Sequence, residues 1–154
     1  MSLLVVRHAD ALSRHGWRSE DRLRPLTEKG LAQARGLVDL LAGQRVELIV
    51  SSPAVRCVQT VEPLADALGL AVVEDNALSE GMPLGPVRRL AGDLDNAVLC
   101  FHGDLIPALI DELIAEGMEA VDRDAKKGST WVLDREGATF TRGTYLPPPK
   151  RDDD

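Results

Sequence analysis

No apolar stretch in this 154-residue sequence approaches the ~20 residues that span a bilayer. After Met1-Ser2 the chain passes straight into a strand-like run, with neither a basic leader region nor a small-residue cleavage site. The expectation is a cytoplasmic protein that binds no membrane. Cysteine is scarce: Cys57 and Cys100 stand far apart and in no metal-binding spacing, so neither a zinc site nor a disulfide framework is indicated, and both should be buried free thiols. Basic charge is in deficit, 18 Lys and Arg against 25 Asp and Glu, for a formal net charge of −7. That balance excludes the broad basic face of a protein that binds nucleic acid polymers. Any affinity for phosphate must be local.

What is present is an ordinary globular composition, 44% hydrophobic and 28% charged. The length fits one domain, placed at residues 1–146, followed by an extended polar C-terminal tail at 147–154 that begins with three prolines. Short apolar runs at Leu3–Val6, Val46–Val50, Ala71–Val73 and Ala97–Phe101 suit strands buried on both faces. Helical stripes lie between and after them. Leu31, Ala34, Leu37, Val38 and Leu41 follow a Thr27 N-cap, and Val58, Val61, Leu64, Ala65 and Leu68 precede Gly69, with Pro63 expected to kink that helix. Leu105, Ile106, Leu109, Ile110, Leu113 and Ile114 form a third stripe ending at Gly117. Strands alternating with helices predict an α/β fold with a largely parallel sheet. Ser129–Leu133 and Ala138–Arg142 around Asp134-Arg135-Glu136-Gly137 predict a hairpin that makes the sheet mixed.

The chemistry gathers at strand ends. The first strand runs into Arg7-His8, a cation and an imidazole pushed into the crevice above the sheet, where ligands of open α/β folds bind. The second ends in Ser51-Ser52-Pro53-Ala54-Val55-Arg56, where Ser52 can cap a helix starting at Pro53 and Arg56 can reach an anion at that helix start. A later strand runs into His102-Gly103-Asp104, with glycine allowing a close backbone approach and Asp104 suited to cap the next helix. Glu80 stands on a polar loop before Gly81, a candidate proton donor toward a phosphate pocket. His15, in a polar loop, reads as solvent-exposed.

Arg7-His8-Ala9, the block Ser51-Ser52-Pro53 to Gln59-Thr60, Glu80 and His102-Gly103, in this order, resemble the histidine phosphatase superfamily, also called phosphoglycerate mutase-like. The resemblance covers the chain from Leu3 to about the last strand. It implies a three-layer α/β/α sandwich with a mostly parallel mixed sheet, and a phosphatase in which His8 is the nucleophile and becomes phosphohistidine. Arg7, Arg56 and His102 would hold the transferred phosphoryl oxygens; Glu80 would protonate the leaving group and then activate water. It implies no cofactor and no metal, and the sequence offers no carboxylate cluster suited to magnesium. His8 should have one ring nitrogen hydrogen-bonded to a backbone carbonyl, leaving the other unprotonated.

The short span of about sixteen residues between Glu80 and the next strand leaves no room for a large lid. In this the chain resembles the short SixA-type phosphohistidine phosphatases, whose expected partner is a protein carrying phosphohistidine. Arg22-Leu23-Arg24-Pro25-Leu26-Thr27 also looks like that branch, with Arg24 at the pocket rim. The segments Arg56–Ala65 and Lys127–Leu133 resemble instead the histidine-phosphatase-like domain of actinobacterial MutT-type Nudix hydrolases. This second resemblance implies a nucleotide or another small phosphorylated metabolite, with Lys127 and Ser129 at the rim. Ala9, where the mutase branch has glycine, fits the SixA-like branch, and Phe101 replaces a small hydroxyl residue and could narrow the pocket. A non-catalytic phosphate-binding module is the reading from another class; the intact set Arg7, His8, Arg56, Glu80 and His102 speaks against it.

Overall fold

The computed structural model describes residues 1–150. Chain order runs β1 (Ser2–Arg7), α1 (Glu28–Leu40), β2 (Leu48–Ser51), α2 (Val55–Leu68), β3 (Val72–Glu74), α3 (Leu84–Asp93), β4 (Ala97–Phe101), α4 (Leu105–Ala115), β5 (Glu119–Ala120), β6 (Thr130–Glu136) and β7 (Thr139–Leu146). They form one sheet in the order β3-β2-β4-β1-β6-β7-β5. β1, β2, β3 and β4 are mutually parallel, and β6 joins β1 antiparallel and passes into β7 as a hairpin.

The strand period divides the core. Leu3 and Val5 of β1 point into a cluster with Val87 and Ala91 of α3 and Leu105 and Leu109 of α4. Their neighbours Leu4 and Val6 point the other way, onto Leu37 of α1 and Cys57, Val61 and Leu64 of α2. Successive strand residues face opposite sides, so the continuous apolar run expected for a doubly covered strand is what packs here, between two helical layers. Each such buried side chain contributes about 1.5–3 kcal/mol. The α/β/α sandwich with its mixed sheet is therefore the fold.

The structure adds to the local expectations and corrects two of them, the third strand's burial and the hairpin turn. β3 is an edge strand, and Val73 is 47% exposed instead of buried on both faces. α3 was not among the expected helices; Gly85 and Pro86 sit in its first turn, where a missing N–H costs nothing. Pro63 lies inside α2, whose helix extends from Val55 to Leu68 on both sides of it. The hairpin turn is only Gly137-Ala138, with Gly137 at φ +58°. Arg135, assigned to that turn, belongs to β6, and its guanidinium donates to the carbonyls of Ala91, Gly92 and Leu94, satisfying the end of α3. Thr27 caps α1 through Gly30 N–H, and Gly69 closes α2 in the left-handed conformation, as expected. After β7, Pro149 rests on Gly36 of α1, while residues 151–154 of the expected tail lie outside the described residues.

Candidate active site

Because β1, β4 and β2 are parallel and adjacent, their carboxyl ends open on one crevice. The ladder continues one residue beyond the strands: His8 N–H donates to the Phe101 carbonyl at 3.1 Å and Ser52 N–H to the Cys100 carbonyl at 2.9 Å. This fixes where His8, Ser52 and His102 begin. The His8 and His102 rings meet edge to face with centroids 5.5 Å apart.

His8 is only 6% exposed. Its Nδ1 lies 2.8 Å from the Ala9 carbonyl, an acceptor only, so Nδ1 carries the proton and Nε2 is left with a lone pair. Burial drives the imidazole down to about pKa 3; the Ala9 bond opposes this, and the neighbouring His102, Arg56 and Arg7 add to it. Ala9 N–H in turn donates to Thr60 Oγ1, which donates to the Arg56 carbonyl. One hydroxyl thus ties the His8 turn to the turn of α2 that carries Arg56.

Gly103 makes room for Arg7. A Cβ at that position would stand 2.5 Å from the Arg7 guanidinium carbon, so the guanidinium lies directly on the glycine backbone. Arg7 Nη1 donates to the Ala125 carbonyl, while its buried Nε has no partner among the described residues. Burial pulls the Arg7 cation down from its ordinary range, opposed by Tyr145, Asp104 and Glu80.

Arg56 is 2% exposed and likewise retains a buried, unpartnered Nε. It stands on the second residue of α2, since the helix starts at Val55 and not at Pro53. Toward the helix start, Ser52 Oγ accepts only from Ala54 N–H, at 3.3 Å. The other Arg56 donors go to Asp21 O, Asp21 Oδ2 and Glu80 Oε2, at 3.0, 3.1 and 2.9 Å. Glu80 Oε1 also accepts from Arg14 Nη2, a bond that raises the Arg14 pKa, and Asp21 pairs with Arg24. Two buried guanidinium N–H groups with no partner among the described residues, near an imidazole with a free lone pair, are the kind of donors a tetrahedral anion uses.

The expected residues do not all share this position. Arg7, His8, Arg56, Glu80 and His102 are brought together. Arg24 and exposed Lys127 line the cavity of about 500 Å³ that holds His8, and so does His15. Ser129 does not: it is buried below the rim, and its carbonyl accepts Arg7 N–H. Asp104 does not cap α4; its carboxylate accepts Gly81 N–H at 2.9 Å and holds the loop next to Glu80. A second cavity of similar size, lined by Arg56, Asn76 and Ser79, adjoins the first at Glu80 and His102. Arg14 and Asp21, which grip the Glu80–Arg56 pair, had no sequence signal, since a polar loop without periodicity does not announce its contacts.

Behind His102, burial pushes the Cys57 thiol up, but its contacts with Cys100 and His102 and the nearby Arg56 guanidinium outweigh it and bring it to about 6. Burial drives the Cys100 thiol well up. Both cysteines are free and buried.

The family model of the histidine phosphatase superfamily (branch 1) matches residues 3–87, more than half of the chain and the span from β1 through Glu80. The chain belongs to the histidine phosphatase superfamily. It is 33% identical over 156 aligned residues to an 8-oxo-(d)GTP phosphatase of Mycolicibacterium smegmatis, an alignment covering 96% of this histidine phosphatase and 48% of the relative. The chain thus spans about half the length of that protein. It is 35% identical over 123 residues to the phosphohistidine phosphatase SixA of Escherichia coli, covering 73% of this chain and 74% of the relative. In fold it is similar to a protein histidine phosphatase SixA solved with tungstate, with a TM-score of 0.75, 22% identity and 97% of each chain covered.

Proposed function

We propose that this histidine phosphatase works without a metal, through a phosphohistidine formed on His8, and that its substrate is a protein-borne phosphohistidine. The observation that carries the reading is the Nδ1 bond of His8 to the Ala9 carbonyl, which leaves Nε2 as an unprotonated nucleophile at neutral pH. In the first step the Nε2 lone pair forms a bond to phosphorus while the bond from phosphorus to the leaving atom breaks, and Glu80 supplies a proton to that atom. In the second, water attacks the phosphorus, its proton passes to Glu80, and the P–N bond breaks to return His8 and release phosphate.

Arg7, Arg56 and His102 bind the phosphoryl oxygens, positioning and neutralising them, which is most of what phosphoryl transfer asks of a protein. The spare Nε–H groups of both arginines supply donors without disturbing the bonds that hold them. A phosphoryl group on Arg56 competes with Glu80 for that guanidinium and so frees the carboxyl to meet the leaving atom. Two free cysteines fit a reducing, cytoplasmic compartment.

A second reading, a nucleotide or another small phosphomonoester, is favoured by one specific observation. The similarity to the 8-oxo-(d)GTP phosphatase runs through 96% of the chain, beyond the 73% shared with the E. coli SixA protein. The mechanism is tested with an aryl phosphate and a metal chelator present: His8→Ala should lose about 10⁴-fold or more in kcat. Equal rates for variant and wild type would overturn it. Turnover of a phosphohistidine protein against nucleoside phosphates separates the substrate readings, a hundredfold preference corresponding to about 2.7 kcal/mol.

A further inference from the structure

We infer that Ser52 fixes the tautomer of His102 and thereby turns that imidazole into a neutral hydrogen-bond donor toward the phosphoryl group. The inference rests on the placement of His102 in the phosphate site proposed above. Ser52 Oγ lies 2.9 Å from His102 Nε2, and both side chains are buried. The only other partner of Ser52 Oγ among the described residues is the Ala54 N–H, which is itself a donor. The hydroxyl proton therefore has a single acceptor, the Nε2 lone pair.

An imidazole whose Nε2 accepts must carry its proton on Nδ1 to remain neutral. His102 Nδ1 has no protein partner among the described residues, and His102 lines both cavities that meet at Glu80. The Nδ1–H is thus the donor left for a bound oxyanion. Cys57 Sγ, at 3.6 Å from the same Nε2, is the longer of two contacts to one nitrogen. Were Nε2 protonated instead, donating to Ser52 or to a Cys57 thiolate, the hydroxyl would lose its acceptor and neutral His102 would face the substrate with a lone pair directed at negative oxygens.

The geometry also explains why the hydroxyl comes from β2. Position 101, immediately before His102, holds Phe101, buried in the opposite core, so the neighbouring strand supplies the group. Ser52 N–H is bonded to the Cys100 carbonyl, which sets the register that brings Oγ to His102. Ser52 also lines the cavity beside Arg56 and Glu80, but the role assigned to it here is that of a positioning residue, acting through the ring it orients.

The test is ¹⁵N NMR of the histidine side chains in the wild-type protein, assigned by comparison with His8→Ala and His15→Asn. The expected spectrum has a protonated Nδ1 and an unprotonated Nε2 for His102. A protonated Nε2 in wild type would overturn the inference, whatever any variant does. Ser52→Ala should bring the two His102 tautomers into exchange and lower kcat with an aryl phosphate about ten- to hundredfold, whereas Ser52→Thr, which keeps the hydroxyl, should retain both the wild-type tautomer and most of the rate. A Ser52→Ala protein with unchanged tautomer and kcat would also overturn it. Since the tautomer is read without turnover, its failure is distinct from failure of the His8 mechanism, which His8→Ala alone decides.

Discussion

His8 and Glu80 face the same cavity but are held by opposite means. His8 is buried, bonded to its own backbone, and tied through Ala9 and Thr60 to the turn that bears Arg56. Glu80 sits on an exposed loop and is held by ion pairs to Arg14 and Arg56 and by the Asp104 bond to the next residue's N–H. The exposed Arg14 pair is weak and exchanges readily, and the Arg56 pair is shared with Asp21, while buried hydrogen bonds to backbone are costly to leave unmade. Under the mechanism proposed above, the phosphoryl side of the site is built rigid and the leaving-group side adaptable, so the sheet would set the reaction and the loop the choice of leaving group.

If that division holds, substitutions on the two sides should differ in kind. Glu80→Gln should cost about a thousandfold in kcat with an alkyl phosphate, whose leaving oxygen needs a proton, and less than about tenfold with an activated aryl phosphate. Equal losses on both substrates would break the comparison. Gly103→Ala drives a Cβ into the Arg7 guanidinium and should cost about a hundredfold in kcat/KM, the same for both leaving groups. A loss that tracked the leaving group would place Arg7 on the adaptable side.

The rigid side also predicts a stability profile. The folded-state pKa of His8, about 3, lies below the ordinary 6.5. Between these values the unfolded chain binds the extra proton, so this contribution to stability is complete above about pH 6.5 and declines as pH falls toward 3. Thermal melts of His8→Asn should show a shallower acid decline than wild type; superimposable pH profiles would count against a neutral buried His8. Smallest of all, Arg14→Ala should change kcat less than about threefold and stability by no more than about 0.5 kcal/mol, because Arg14 is 61% exposed and Glu80 keeps its bond to Arg56. A large kcat loss measured with the same aryl phosphate would show that the loop is held more firmly than an exposed pair allows.

The same contrast decides what could be read from sequence. β1 and β4 were legible because strands covered on both faces must be continuously apolar, and a charged or aromatic-nitrogen residue at their ends can go only into the crevice. The hydrogen bond that fixes the His8 tautomer was expected and is present. Asp104 was misread because an aspartate before a helix suits the cap, and only the folded loop reveals that Gly81 N–H competes for its carboxylate. Ser129 was placed at the rim from its neighbours in sequence, yet the adjoining strand draws it inward as a backbone partner of Arg7. Asp21 and Arg14 come from a loop whose contacts depend on how it folds over α2, information absent from any local pattern. Arg135 was misassigned for the reverse reason: a charge next to a turn suggests solvent, whereas the open end of α3 offered it three carbonyls.

The Thr60 hydroxyl accepts from one arm of the phosphate cradle and donates to the other. Local opening of either arm must break this shared bond, so the Ala9 amide and the first turn of α2 should loosen together, as one cooperative unit, rather than fray independently. Under the proposed mechanism, a phosphoryl group that engages both arms would then bind only their assembled state and hold that unit closed.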